Sequence, residues 1–203
     1  SSDGLTCGKV SPPSPLPQLY SVVFGAGRFV AVGKTGAMLQ SIDGVTWGLI
    51  PSLTTKDLRA VHFAAGRFVV AGDTGTVLTS TDGLNWANHT VTTGATLTVV
   101  TFHRDRWIAG NGTNLWTSPD AQTWTALPFN TARSGFGTPL SLGADGLLAP
   151  CSNDTLFVSD DGRTWESIPV VTPTTTGFLR AAATANGTIV LVASEGRIFQ
   201  TRT

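Results

Sequence analysis

Short runs rich in Val, Ile, Leu, Thr and Phe recur along the chain from residue 19 onward, separated by Gly, Asp and Asn. Such runs, bounded by turn-forming residues, predict β-strands: β-branched and aromatic side chains pack on a pleated surface, and Gly or Asp ends the pleat. No segment holds a 3.6-residue apolar period long enough for a helix. The chain therefore reads as all-β. The runs fall into groups of four: 19–24, 28–33, 37–41 and 47–50; then 58–63, 67–72, 76–80 and 86–89; then 97–102, 106–110, 114–118 and 124–127. A fourth group is less regular (139–142, 146–150, 155–159 and 165–168), and a fifth has only three runs, 179–183, 188–193 and 197–201.

One seven-residue pattern stands before the last run of each complete group. Ser41-Ile42-Asp43-Gly44-Val45-Thr46-Trp47 is matched by Ser80-Thr81-Asp82-Gly83-Leu84-Asn85-Trp86 and by Ser159-Asp160-Asp161-Gly162-Arg163-Thr164-Trp165. Ser118-Pro119-Asp120-Ala121-Gln122-Thr123-Trp124 keeps the Ser, the Asp and the Trp. The tryptophans stand 39, 38 and 41 residues apart, and a period near 40 means one supersecondary unit stacked on copies of itself. Each position has a local job. Asp-Gly between strands forms a tight turn, the carboxylate accepting from the turn's own N–H groups. The Ser hydroxyl closes the same turn, and the Trp ring folds back over it. These residues are thus expected to be structural.

Ser1-Ser2-Asp3-Gly4-Leu5-Thr6-Cys7 repeats the pattern with Cys in place of Trp. No strands precede it, and the fifth group stops at its own pattern position, Thr201-Arg202-Thr203. Residues 1–10 are therefore expected to supply the missing strand of the fifth group and close a five-bladed ring. Prolines at 12, 13, 15 and 17 make the stretch between an extended linker. The whole chain, 1–203, is expected to be one propeller domain, with blades near 19–50, 58–89, 97–127, 139–168, and 179–203 plus 1–10.

The pattern S-x-D-G-x-T-W resembles the Asp-box, or sialidase-type (BNR) repeat, of β-propellers, one residue shorter than the commonest form. The longer string from Ala31 through Trp47 is similar to repeats of bacterial photosystem II assembly-factor-like proteins. The resemblance covers nearly the whole chain and implies the propeller fold. It implies little about function, because Asp-boxes occur in sialidases, other glycosidases, sorting receptors, assembly factors and lectin-like proteins.

Charge narrows the partners. Lys+Arg equals Asp+Glu at 13 each and the pI is near 6.8, so no basic field exists for nucleic acid or anionic membrane. No 18-residue apolar run offers a membrane span. Lys occurs only at 9, 34 and 56 and Met only at 38, against abundant Thr, Ser, Gly and Pro, a profile that points to a secreted, periplasmic or cell-surface protein. Asn88, Asn111, Asn153 and Asn186 lie in sequons. The repeat alignment sets Cys7 and Cys151 on opposite faces, so two free thiols are expected. No cofactor is expected, and His62, His89 and His103 show no metal-ligand spacing.

Binding residues should be those the repeat does not explain. Tyr20, Arg59 and Arg180 share one position at the start of three innermost strands, where they either serve packing, the favoured role, or converge on a polar-ligand or anion site. No acid on an inner strand accompanies Tyr20, as a sialidase mechanism would require. Asp73, Asp154 and Glu195 could pair as glycosidase carboxylates, but their turns are expected to lie far from the axis. Phe129, Arg133, Phe136 and Phe178 fall in the two longest interblade loops, an aromatic and Arg cluster suited to stacking a sugar or docking a protein. The reading that results is a non-enzymatic recognition or scaffolding module outside the cytoplasm, engaging a protein or glycan through interblade loops. A multivalent lectin, a glycoside hydrolase and a self-assembling subunit are the alternatives. Lectin sites would repeat, and the loop residues Lys34, Asp73, Asn111, Ser152 and Ser194 do not.

Overall fold

The computed structural model describes residues 8, 10, 17–91, 94–111, 114–127, 140–141, 147–151, 155–161, 163–169, 179–185, 188–193 and 198–202. They form five antiparallel sheets of consecutive strands. The first contains β1 (Leu19–Gly25), β2 (Arg28–Gly33), β3 (Met38–Ser41) and β4 (Gly48–Leu49); the second contains β5 (Leu58–Ala64), β6 (Arg67–Gly72), β7 (Thr76–Ser80) and β8 (Ala87–Thr90). The third contains β9 (Val99–His103), β10 (Arg106–Gly110), β11 (Leu115–Ser118) and β12 (Thr125–Ala126). The fourth contains β13 (Leu140–Ser141), β14 (Leu147–Cys151), β15 (Thr155–Ser159) and β16 (Glu166–Pro169), and the fifth β17 (Leu179–Ala185), β18 (Thr188–Ala193) and β19 (Ile198–Arg202).

The sequence grouping and the sheets agree strand for strand, with two systematic differences. Each fourth strand begins one residue after its Trp, because the turn holds the Trp backbone out of the ladder. β9 begins at Val99 rather than at residue 97: Leu97 is tied outside the ladder, its N–H bonded to the Gly72 carbonyl at 3.0 Å. Helical structure among the described residues is limited to two three-residue 3-10 turns, Lys34–Gly36 and Asp73–Gly75. No helix there is long and apolar enough to cross a membrane. The fifth sheet has three strands. Its expected completion by residues 1–10, and with it Asp3 and Cys7, falls almost entirely outside the described residues; Gly8 and Val10 alone are described, neither in a strand.

The sheets stack through their first strands. β1 lies against β5, β5 against β9 and β9 against β13, while β14 meets β17. Between the first two sheets Val30, Val32, Met38 and Ile50 pack against Leu58, Val61, Phe68 and Leu78. Between the next two, Val69, Ala71 and Val77 pack against Val100, Trp107 and Ala109. Gly25 is small for a reason: a Cβ there would run into the Phe63 ring of the next sheet. The hairpins β1–β2 and β5–β6 turn through Ala26-Gly27 and Ala65-Gly66, all four residues at positive φ, the two-residue geometry that matches the right-handed strand twist.

Candidate functional site

The repeated turns are self-contained. In the first, the Ser41 hydroxyl donates to Asp43 Oδ1 (2.8 Å) and accepts from the Gly44 N–H (2.9 Å). The same Oδ1 accepts from the Val45 and Thr46 N–H groups at 2.8 and 2.7 Å. Ser80 and Asp82, Ser118 and Asp120, and Ser159 and Asp161 repeat the Ser-to-Asp bond and the two backbone bonds to the carboxylate. These bonds favour the ionised form, so backbone donors hold all four carboxylates below the ordinary value of 3.8. Trp47 and Trp124 close the turn by donating their indole N–H to the Gly44 and Ala121 carbonyls at 3.1 and 3.2 Å. Trp86 lies on Phe68, centroids 6.1 Å apart, and Trp165 packs against Ile108 and Leu115. The Ser hydroxyls and Asp carboxylates of the repeat are thus engaged within their own turns.

A second cluster lies where β1 and β5 begin. In both strands the register slips at the second residue: Leu19 pairs with Gly33 and Ser21 with Val32, and Leu58 pairs with Gly72 and Ala60 with Ala71. Tyr20 and Arg59 are the extra residues of these bulges, and a bulge re-aims its side chain. β17 slips at the same place, so Arg180 is the third bulged residue. The Arg59 guanidinium makes a bidentate pair with Asp73, Nε to Oδ1 at 2.9 Å and Nη2 to Oδ2 at 3.0 Å. It lies 3.4 Å from Asp57 Oδ2 and 5.2 Å from the centre of the Tyr20 ring. The Tyr20 hydroxyl donates to Asp57 Oδ2 (3.2 Å), and Asp57 Oδ1 accepts from the Thr35 N–H (2.8 Å).

The acid beside Tyr20 comes from off the inner strands: it is Asp57, one residue ahead of β5. One sequence expectation is corrected here. Asp73 is not a remote turn carboxylate; half-buried, it grips the inner-strand Arg59. The role of Asp57 is not written in its sequence neighbourhood, because its hydrogen-bond partners lie 22 and 37 residues away. A signal existed in the repeat, since Asp57 precedes Leu58 as Gln18 precedes Leu19.

The electrostatics decide what this cluster can do. Thr35's N–H, then Tyr20 and Arg59, hold the Asp57 carboxyl below its ordinary value, which suits an anion and not a general acid. Partial burial and the neighbouring Asp57 push the Tyr20 phenol up, the wrong direction for a nucleophile. Arg59 is pushed up by its bond to Asp73 and stays cationic. Arg59 and, through its field on Asp57, Lys34 balance the Asp57 and Asp73 carboxylates, so the cluster carries about no net charge and has no excess of cations to draw an anion.

The other candidates divide. The side chains of Phe129, Arg133, Phe136, Arg180, Phe178, Asp154 and Glu195 lie outside the described residues. His103 is buried, its Nε2 2.9 Å from the Asp160 carbonyl oxygen, and His89 Nε2 is 3.1 Å from Thr79 Oγ1. His62 meets the Trp107 ring edge-on, centroids 6.1 Å apart, and burial lowers its pKa. Among the described residues no three His, Cys, Asp or Glu side chains gather as metal ligands.

Stacked antiparallel sheets meeting through their first strands define a β-propeller. No family model matches the chain and no curated protein matches it in sequence, but solved structures superpose well. The computationally designed Ika8 protein does so with a TM-score of 0.72 at 13% identity, over 95% of this chain and 61% of that one. YCF48 bound to D1 peptide gives 0.70 at 18% identity, over 98% and 69%. Virginiamycin B lyase from Staphylococcus aureus gives 0.72 at 10% identity, over 91% and 69%. The chain thus spans 61% to 69% of the length of these structures. At such identities the likeness establishes the fold.

Proposed function

We propose that the protein is a non-enzymatic recognition module, a five-bladed array of Asp-box repeats that docks a protein segment on the rim carrying the Lys34–Gly36 and Asp73–Gly75 turns. One observation carries this reading. The titratable cluster on that rim, Tyr20, Asp57, Arg59 and Asp73, is internally paired, with its phenol and carboxyl displaced away from the values catalysis would need. A preformed, fixed polar patch on a rigid scaffold serves recognition. Its alternating carboxylates and cations, Asp57 and Asp73 against Arg59 and Lys34, suit a segment with polar groups of both signs. A propeller neighbour bound to a peptide, YCF48 with D1 peptide, supports the same reading by analogy of fold. The composition supports a location outside the cytoplasm.

The glycosidase reading draws on one specific feature, the Tyr20 to Asp57 hydrogen bond beside Arg59. The two readings separate in one experiment. The purified chain is assayed on arrays of basic, neutral and acidic peptides and of glycans, and in parallel with a panel of chromogenic glycosides. Saturable binding to a class of peptide, weakened at least tenfold by Tyr20→Ala with the circular dichroism unchanged, is expected. Glycoside turnover abolished by Tyr20→Phe would overturn the proposal, as would binding confined to one class of sugar.

A further inference from the structure

The second strands of the first three sheets begin with arginines 39 residues apart, Arg28, Arg67 and Arg106. Their surroundings differ. Arg28 lies against the repeated turn of the next sheet, where a Cβ at Gly83 would stand 2.8 Å from its Cδ, and its Nη1 donates to Gln40 Oε1 at 3.1 Å. Arg106 has the Asp105 carboxylate 4.0 Å from its Nε. Arg67 has no hydrogen-bond or ion-pair partner among the described residues.

Two changes in the repeat account for the unpaired guanidinium. By register Thr79 stands where Gln40 does, opposite Val69 as Gln40 is opposite Val30, and its side chain is too short to engage the arginine. Ala121 stands where Gly83 does, with the Cβ that Gly83 lacks. The Arg67 stem therefore cannot lie on the turn of the third sheet as Arg28 lies on that of the second. A groove of about 310 Å³ results, bordered by Arg67, Thr79, Thr81, Asn85, Trp86 and Ala87. Small-molecule sites run from about 300 to 1,000 Å³, so there is room for one ring and not for a chain of them.

The polar groups around the groove select its ligand. Thr79, 4% exposed, is held by His89 Nε2 at 3.1 Å. Asn85 donates its side-chain amide to Asp82 Oδ2 at 2.8 Å, which leaves the amide oxygen as an acceptor. The charged neighbours are Asp82 and, across the interblade contact, Asp120, whose field His89 feels together with that of Arg67. Both carboxylates are kept ionised by the backbone donors of their own turns. One guanidinium between two carboxylates offers no excess of positive charge to an anion. Hydroxyl groups suit it better, since each can accept from the guanidinium and donate to an amide oxygen.

We propose that this groove binds a single saccharide unit, its neighbouring hydroxyls bridging Arg67 and Asn85 and its apolar edge against Trp86 and Ala87. The first sheet has no such site, because Gln40 already engages Arg28. The groove is also separate from the rim: β6 runs from Arg67 to the Asp73 turn, a distance of about 20 Å at roughly 3.3 Å per residue. The inference is independent of what the rim binds.

NMR titration of the isotopically labelled full chain tests it, with the methyl glycosides of glucose, galactose, mannose and N-acetylglucosamine as probes and sodium acetate as the anionic control. So few contacts should give dissociation constants in the millimolar range. At least one glycoside is expected to shift the amide signals of residues 79–87 saturably, and Arg67→Ala to weaken that binding at least about tenfold. Ala87→Glu should weaken it equally, by supplying Arg67 with a carboxylate. Ala87 pairs with Thr79 as Glu166 pairs with Val158, so the position takes a Glu within the same ladder, and this variant keeps the fold even where Arg67→Ala does not. Failure of every glycoside to move these signals overturns the proposal, as does binding that survives both substitutions. Shifts at Tyr20, Asp57 and Arg59 in place of 79–87 would put the sugar at the rim, and shifts at 79–87 with acetate alone would make the groove an anion site; either overturns it.

Discussion

Asp82 accepts the Ser80 hydroxyl at 2.9 Å, the Leu84 and Asn85 N–H groups at 2.8 Å each and the Asn85 side-chain amide at 2.8 Å. Removing it strands several donors at once, as loss of a helix cap does. Asp82→Ala is expected to lower stability by about 1 kcal/mol, and Asp82→Asn, which keeps an acceptor, by less. The same bonds set the acid sensitivity. Asp43, Asp82, Asp120 and Asp161 all titrate lower folded than unfolded. Their contribution is therefore whole above the unfolded value near 3.8 and drains away as the pH falls through the folded values. Urea midpoints should fall between pH 5 and pH 3 by more than loss of one such site explains; equal midpoints would show that these carboxylates are not held.

At the level of elements, turns and bulges carry the information that the strands do not. Ala26 sits at φ 45° and Ala65 at φ 48°, a region that costs an L-residue with a Cβ about 1–2 kcal/mol. Asn tolerates it better and is favoured before Gly in a two-residue hairpin. Ala26→Asn is expected to stabilise by roughly 0.5 kcal/mol or more, read as a rise in melting temperature, and Ala65→Asn to add to it independently. These hairpins were legible in sequence as Gly-bounded breaks. The bulges at Tyr20, Arg59 and Arg180 were legible only as a shared position, because alternation of apolar residues continues around them and nothing local marks the slipped register.

At the level of the molecule, Asp57 joins two sheets. Its carboxylate takes Tyr20 and the Thr35 N–H from the first and lies beside Arg59 of the second, while the Asp73 N–H bonds its carbonyl at 2.9 Å. Asp57→Ala leaves the Tyr20 hydroxyl and the Thr35 N–H without their acceptor, while the backbone bond from Asp73 remains. A measurable loss of stability is expected, tempered by the solvation of the group. It should appear in native-state hydrogen exchange as faster opening of β1 and β5 together. Exchange changed in β5 alone would show that the carboxylate does not couple the sheets.

The period of 40, the four-strand grouping and the closed chemistry of the Ser, Asp and Trp turns were all determined by sequence, since each depends on neighbours a few residues apart. The roles of Asp57 and Asp73 were not. They arise where the start of one sheet meets turns that follow the second strands, at separations of 14 to 37 residues, and a repeat pattern records which residues are alike, not which touch.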